Sequence, residues 1–256
     1  MNFVEKLGSN ILNFIVNFGK SCLFLYQTIR SLSFPVQRPA FLVQQIYSIG
    51  VRSLIIIAIA GFFVGMVLAL QWYSALVRFG AESSTAQGTG LSLIRELGPV
   101  ISALLFAGRA SSALTAEIGL MKATEQTSGL EMMALNPMKW IVAPRFLASL
   151  ICLPLLNAIF ITAGILGGYL VVEFWIGADS GTYFIQLQEG VSWNEDVLSS
   201  FIKSIVFAFI ASWVSLWQGI ECYPTSQGIS KATTQSVVHI SLLVLGLDYL
   251  LTAIMF

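Results

Sequence analysis

The sequence predicts an all-α integral membrane protein with an N-terminal amphipathic helix and five membrane-spanning helices. Charged residues make up only 10% of the 256 residues, whereas hydrophobic residues make up 56%. A soluble domain needs a more highly charged surface to stay dispersed in water. Several apolar stretches also reach the length of about 20 residues that a helix needs to cross a bilayer. We therefore expect a helical lead-in over residues 1–50 and a transmembrane domain over residues 51–256.

Residues 3–29 have the spacing of an amphipathic helix. The apolar face consists of Leu7, Ile11, Phe14, Phe18, Leu25 and Ile29, and the polar face of Asn10, Asn13, Asn17 and Lys20. This pattern favours a helix that lies in the membrane interface rather than one that spans it. An amphipathic helix packed on protein would show the same pattern, so both interpretations stay open.

Five apolar stretches predict the membrane spans. The first is uncharged and closes with Trp72 and Tyr73, aromatic residues that anchor at the interface. The second is interrupted by charges and by a proline. The expected spans cover residues 53–73, 94–116, 146–172, 201–220 and 236–256.

The positions of lysine and arginine predict the orientation of the chain. These residues are frequent in the first 52 residues and in 109–145, whereas 173–200 contains none and carries several acidic residues. Because positive charge favours the cytoplasmic side, we expect the N-terminus and 117–145 inside and 173–200 outside. An odd number of spans then places Phe256 on the outer side.

The motif "RELGP", residues 95–99, is the most unusual feature of the second span. A charge at membrane depth costs roughly 2.5–3.5 kcal/mol on insertion scales, so Arg95 and Glu96 need a cavity, a partner or the interface. Pro99 cannot donate a hydrogen bond to the carbonyl of Arg95, which frees that part of the backbone. The residues alone leave two interpretations open: a polar spot at the mouth of a substrate cavity, or a structural role, either as an ion pair between helices or as an interfacial pair at a helix end.

Small residues recur every four positions in three of the spans, including Gly164 and Gly168 in the third. In the first two spans they are Gly61 and Gly65, and Ala103, Ala107 and Ser111. Small side chains at this spacing let another helix approach closely. We expect helix packing here, and one such face could also make a homodimer.

Several classes of function are disfavoured. The formal net charge is zero, so the chain lacks the excess of positive charge that is typical of nucleic-acid-binding proteins. Cys22, Cys152 and Cys222 lack a paired spacing, and His239 is the single histidine, so we expect no metal site. Neither a serine-hydrolase elbow nor a zinc-protease motif occurs, and "GKS" at 19–21 lacks the glycine of a phosphate loop.

Residues 95–148, from "RELGPVISALLFAGRA" to "PRFLA", resemble the MlaE/YrbE permease family. Further matches are "LVQQIYSIGVRSL", "GFFVGMVLALQ" and the stretch from "PTSQGISKATTQ" to the C-terminus, so the resemblance covers nearly the whole chain. Members of this family are the membrane subunits of ABC transporters that move phospholipids between the membranes of Gram-negative bacteria. Mild departures are Lys122 and Lys231, where the family often has arginine.

The resemblance implies a complex in the bacterial inner membrane that maintains outer-membrane lipid asymmetry. The permease would be a homodimer without catalytic residues or a cofactor of its own, with its N-terminus cytoplasmic and its C-terminus periplasmic. Two ATPase subunits would bind ATP and Mg, a periplasmic hexamer of MCE-domain subunits would cover the outer face, and a STAS-domain protein would attach to the ATPase. The coupling segment 117–137 mixes charges with methionines, a surface suited to a partner. Its expected ATPase contacts are Glu117, Lys122, Glu125, Gln126, Glu131, Met132 and Met133.

The resemblance also implies a lipid site in an outward-opening cavity at the dimer interface. Arg95 would attract the lipid phosphate, because a guanidinium matches phosphate oxygens. Glu96 would hold that arginine or meet the head group, next to Pro99. Residues that share one face of the first span would form the acyl-chain wall: Leu68, Trp72, Leu76 and Phe79.

Two other classes of function remain as alternatives. A self-contained channel or secondary transporter is disfavoured by the missing inverted repeat and by the few intramembrane charges. An intramembrane lipid enzyme is disfavoured by the absence of a nucleophile with a base. Co-purification of an ATPase would support the ABC permease and neither alternative.

Overall fold

The computed structural model describes residues 3–176 and 180–255, and within these ranges it contains helices and no strand. Five helices in the described ranges are long and apolar enough to cross a membrane, which confirms the predicted fold class and number of spans. We call them span 1 to span 5, and they cover Pro39–Phe79, Glu82–Ala123, Met138–Trp175, Trp193–Glu221 and Ser226–Met255. Each helix extends beyond its predicted apolar stretch. Phe256, the end of the predicted fifth span, lies outside the described residues.

Four further helices complete the described structure. Phe3–Ser31 and Ser33–Gln37 precede span 1, Gln126–Met132 joins spans 2 and 3, and Ser180–Gly190 joins spans 3 and 4. Because successive spans run in opposite directions, these two connecting helices mark opposite ends of the bundle. We call them the 126–132 end and the 180–190 end.

The N-terminal helix Phe3–Ser31 packs on the bundle through its last turns. The Phe24 ring lies 5.6 Å from the ring of Trp217, and the indole nitrogen of Trp213 donates to the carbonyl of Ser21 at 3.2 Å. Other apolar side chains of the helix, such as Leu12 and Ile15, are exposed. The helix therefore has one face on protein and another free for the membrane interface. Part of the predicted apolar face is outside the described side chains, namely Leu7, Ile11 and Phe14.

Span 3 packs against both span 1 and span 4. Gly61 and Gly65 of span 1 lie directly against its backbone. A Cβ added at Gly65 would stand 1.9 Å from the carbonyl oxygen of Gly164, and one at Gly61 would stand 2.5 Å from that of Phe160. These two glycines are therefore required for the close approach of two helices of the same chain.

The small residues of span 2 also face inward. Ala103, Ala107 and Ser111 are fully buried, and the two alanines belong to a core that includes residues of spans 3, 4 and 5. Contact with a second copy of the chain would consequently have to use other residues.

Span 2 contains two wide turns of π-helix, Leu93–Leu97 and Ala107–Ser111. Each such turn shifts the side chains that follow it and leaves backbone carbonyls for other partners. Arg95 lies in the first turn and Arg109 in the second. The second arginine donates to the Ser48 carbonyl and to Ser53 Oγ of span 1, at 3.2 and 3.0 Å, so it ties spans 1 and 2 together.

Candidate functional site

Arg95 is held by span 4 at the 180–190 end of the bundle. Its Nε donates to Oδ1 of Asp196, a residue only 1% exposed. The other carboxylate oxygen of Asp196 accepts the backbone N–H of Ser192 at 2.7 Å. Asp196 therefore neutralises the guanidinium and also satisfies a free donor at the start of span 4.

Lys203 lies seven residues after Asp196 in span 4, and its side chain is completely buried. Its ammonium donates three hydrogen bonds, to the Arg95 carbonyl at 3.0 Å, to Asp248 Oδ1 at 3.1 Å and to Thr252 Oγ1 at 2.7 Å. An ammonium has three N–H groups, so these contacts use all of them. A buried charge satisfied in this way joins spans 2, 4 and 5.

The neighbouring residue, Glu96, is exposed and lines a groove between spans 1 and 2. The groove has a volume of about 410 Å³ and is lined by Leu68, Gln71, Trp72, Ala75, Ser92, Glu96 and Leu97. Trp72 is fixed there because its indole nitrogen donates to Ser92 Oγ at 3.1 Å. An apolar wall with one carboxylate at its side suits an amphipathic ligand.

The structure brings together only some of the residues expected at this site. Leu68, Trp72 and Glu96 share the groove, while Arg95 is one-third exposed and paired across the helices. Pro99 is buried in the bundle. Leu76 and Phe79 lie further along span 1 and do not line the groove, and the Phe79 side chain is 83% exposed.

The opposite end of the bundle presents the helix Gln126–Met132. Glu125 precedes it in a left-handed conformation, with φ of 57°, and turns the chain away from span 2. Gln126 and Glu131 are exposed, and so are Met132 and Met133, at 84% and 63%. Exposed, adaptable methionine side chains outside the apolar spans are typical of a docking surface.

Glu117 and Lys122 have a different environment from the rest of the coupling segment. Arg145 of span 3 donates to Glu117 Oε1 at 2.7 Å. Lys122 Nζ donates to the carbonyls of Ile220 and Cys222 at 2.6 and 2.9 Å, where it satisfies free acceptors at the end of span 4. These two side chains connect the segment to the bundle rather than presenting it to a partner.

A family model for the permease MlaE matches residues 42–254. The chain belongs to the MlaE permease family. The predicted resemblance is thereby confirmed, and the matched region contains every residue of the groove and of the Lys203 network. The chain is a multi-pass membrane protein, as its family and its five apolar helices indicate.

Individual relatives of this MlaE-family chain are permeases. It is 52% identical to the intermembrane phospholipid transport system permease protein MlaE of Haemophilus influenzae, over all of this chain and 98% of the relative. A probable ABC transporter permease of Rickettsia typhi is 37% identical over the same shares of the two chains. Another, from a Synechocystis strain, is 33% identical over 83% of this chain and 81% of its own length.

Sequence reasoning about this MlaE-family chain missed three residues: Asp196, Lys203 and Asp248. Asp196 belongs to the acidic segment 173–200, which the sequence places outside the membrane, and Asp248 lies in the predicted fifth span. The available signal was a charged residue inside each of two predicted spans, because such residues require a partner. The described residues contain no cluster of three or more potential metal ligands.

Proposed function

We propose that the chain is the permease subunit of an ATP-driven transporter that moves phospholipid between the inner and outer membranes and so maintains outer-membrane lipid asymmetry. The observation that carries this proposal is the similarity, over the full length, to the phospholipid transport permease of H. influenzae. The groove between spans 1 and 2 supports it, because an apolar wall beside a carboxylate matches the two chemical parts of a lipid. We infer that the chain itself is not an enzyme.

In this proposal the lipid enters at the 180–190 end, which faces the periplasm. Leu68 and Trp72 contact an acyl chain, with Leu76 and Phe79 extending the apolar surface towards the end of span 1. Glu96 contacts the polar head group. Arg95, one-third exposed and held in place by Asp196, would offer hydrogen-bond donors of its guanidinium to the phosphate.

A second copy of the chain would close the groove. The surface best suited to it is a face of span 2 that the other helices of the same chain cover only in part. Gly108, Ser112 and Ala116 recur there every four residues, and a Cβ added at Gly108 would meet no atom of this chain within 4 Å. This is the spacing that allows two helices to approach closely in a membrane. The homodimer would thus use the stripe adjacent to the buried one at 103, 107 and 111.

ATP and Mg would be bound by a separate ATPase subunit that docks on the 126–132 end. The exposed side chains of Glu125, Gln126, Glu131, Met132 and Met133 would make the contact, and Glu117 and Lys122 would transmit its movement to spans 3 and 4. This orientation places the N-terminus in the cytoplasm and the C-terminus in the periplasm of a bacterial inner-membrane protein. An MCE-domain hexamer would cover the 180–190 end, and a STAS-domain protein would bind the ATPase.

Replacing Trp72 by alanine tests the lipid site. The change removes one large apolar wall of the groove, so the phospholipid recovered with the purified complex should fall on the order of tenfold. Lipid is measured by mass spectrometry per mole of permease. Trp193→Ala is the matched control, because Trp193 lies at the same end, is 77% exposed and does not line the groove. Equal lipid in the two variants would contradict the assignment of the groove.

Charge reversal at Glu125 or Glu131 tests the docking of the ATPase. Both side chains are exposed at the proposed contact, so each Lys variant should lose the ATPase subunit in a pull-down and lose ATP-dependent transport. Glu195→Lys, an exposed reversal at the 180–190 end, should retain both. If the Glu125 and Glu131 variants retain the ATPase and full transport, the coupling assignment is wrong. Transport without any ATPase would instead favour a self-contained channel or secondary transporter.

A further inference from the structure

We propose that Arg52 and Arg109 bind a phosphate group where spans 1 and 2 meet, towards the 126–132 end of the bundle. We call these two guanidinium groups the inner site, to distinguish them from the groove at the 180–190 end. The inference deepens the proposed function, because the position of the inner site favours the phosphate of a lipid head group. That a lipid bound there is transported rests on the proposed function, whereas the binding itself does not.

The first observation is that the protein holds only one edge of the Arg109 guanidinium. Nη1 donates to the carbonyls of Ser48 and Ile49 at 3.2 and 3.4 Å and to Ser53 Oγ at 3.0 Å. Within the described residues Nε and Nη2 make no hydrogen bond, and the side chain is partly exposed. The neighbouring Gly108 leaves open space, since a Cβ added there would meet no atom within 4 Å. A fixed guanidinium thus keeps N–H donors free for a ligand.

The second observation is another positive charge without a negative one. Arg52 is exposed, precedes Ser53 in span 1, and is close enough for its charge to act on Arg109. In the described part of the chain, neither arginine forms an ion pair with a carboxylate. Two like charges beside an apolar core repel each other, and an anion between them would remove this cost. Phosphate suits the position, because guanidinium groups bind its oxygens through pairs of N–H donors.

The depth of the inner site favours a lipid as the source of the phosphate. Arg52 immediately precedes the uncharged stretch 53–73, and the hydrogen bond to Ser53 holds Arg109 at the same depth. This level is the boundary between the hydrocarbon core and the lipid head groups.

An apolar surface continues from Arg52 into the membrane. Ile55, Ile56 and Ile59 follow within about two turns and are 68%, 48% and 53% exposed. A phospholipid would place its phosphate between the two guanidinium groups and an acyl chain along these isoleucines. Basic sites between membrane helices at the cytoplasmic side bind lipid head groups in this way.

Local fluorescence quenching tests the inner site in the complex with its ATPase. Ile55→Cys with Cys22→Ser provides one exposed thiol for a fluorophore, because Cys152 and Cys222 are buried. The probe is a short-chain phosphatidylglycerol with a nitroxide on an acyl chain, titrated in detergent. The lipid concentration at half-maximal quenching reports binding next to Arg52, since the groove begins at Leu68, about 20 Å further along the helix.

Arg52→Gln should raise the half-quenching concentration about fivefold, because it removes one cation from the bound head group. The residue has no ion pair within the described chain, so the fold should not change. Adding Arg109→Gln should bring the rise to at least about tenfold. If that variant is not recovered in folded form, Arg109→Lys, which retains the charge but lacks the planar fork, should raise the concentration as well. Lys139→Gln removes an exposed cation at the same end and should leave the concentration unchanged.

Two further ligands identify the source of the phosphate. A nitroxide-labelled diacylglycerol has the same chains without phosphate, and should need a concentration at least about fivefold higher. Inorganic phosphate in large excess should displace little phosphatidylglycerol, because it lacks the chains that contact the isoleucines. Full displacement by inorganic phosphate would support the inner site with free phosphate as its ligand.

Two outcomes would overturn the inference: equal half-quenching concentrations for the parent and Arg52→Gln, or equal quenching by the diacylglycerol. A parent complex that transfers no phospholipid with ATP would contradict the proposed function instead. The titration would still decide whether Arg52 and Arg109 bind phosphate.

Discussion

Replacing Gly65 by alanine should destabilise the bundle more than any other single methyl group added to span 1. The new Cβ would stand 1.9 Å from the carbonyl oxygen of Gly164, the closest approach of any glycine in the described residues. That oxygen belongs to the backbone of span 3, so it cannot turn aside as a side chain can. Spans 1 and 3 would have to separate, and overpacking of this kind costs about 3 kcal/mol or more. Thermal unfolding in detergent, together with the yield of folded protein, measures the effect.

Gly246→Ala is the matched control. Gly246 also lies within a membrane-spanning helix, but a Cβ added there would meet no atom within 4 Å. The change should leave the unfolding temperature unaltered or raise it slightly, since alanine favours the helix more than glycine does. Equal unfolding temperatures for the Gly65 and Gly246 variants would contradict the packing of span 1 on span 3.

Replacing Asp196 by alanine should produce the second large effect. The change leaves the charge of Arg95 without its acidic partner and removes the acceptor for the Ser192 N–H. Removing one partner of a buried ion pair costs about 3–5 kcal/mol, and the lower value applies because Arg95 is one-third exposed. Chemical unfolding in detergent should show this loss as a lower midpoint.

Two further variants separate the contributions of Asp196. Asp196→Asn retains an acceptor for Ser192 but lacks the negative charge, so its stability should lie between those of the parent and the alanine variant. Glu195→Ala changes the exposed neighbouring residue and should behave as the parent does. If Asp196→Ala and Glu195→Ala unfold at the same midpoint, Asp196 does not stabilise the turn that carries Arg95.

The fold could be predicted because it depends on local properties of the chain. Length and hydropathy define the five spans, and the amphipathic spacing of residues 3–29 predicts the N-terminal helix. The observed helices are longer than the apolar stretches, as in span 2, which begins at Glu82 rather than near 94. Hydropathy reports the part of a helix in the hydrocarbon core, whereas hydrogen bonding continues the helix through polar residues beyond it.

The residues that contact Arg95 could not be predicted in the same way. The motif "RELGP" drew attention to Arg95, but two residues of span 4 that contact it, Asp196 and Lys203, lie 101 and 108 residues later. Such contacts depend on which helices pack together and at what rotation, and a single sequence does not define either. The two neighbouring residues also differ in their surroundings: Arg95 is paired between helices, whereas Glu96 lines the groove.

The spacing of small residues shows the same limit. The recurrence of Gly61 and Gly65, or of Ala103 and Ala107, correctly indicates close helix contacts. The spacing does not indicate which helix packs against these residues. In each case it is a helix of the same chain. The face left uncovered, at Gly108, differs by a single residue from the stripe that the sequence emphasised. Successive side chains of a helix are rotated by about 100° about its axis. A shift of one position can therefore move a side chain from the buried face to the exposed face.

The most direct measurement of the central claim is lipid transfer by the reconstituted complex. Liposomes that contain the permease and its ATPase subunit, together with the MCE-domain partner, receive a labelled phospholipid, and exchange with acceptor vesicles is recorded with and without ATP and Mg. The proposed function predicts transfer that requires ATP, falls strongly with Trp72→Ala and is lost with Glu131→Lys. Transfer at an equal rate without the ATPase, or no dependence on Trp72, would contradict it.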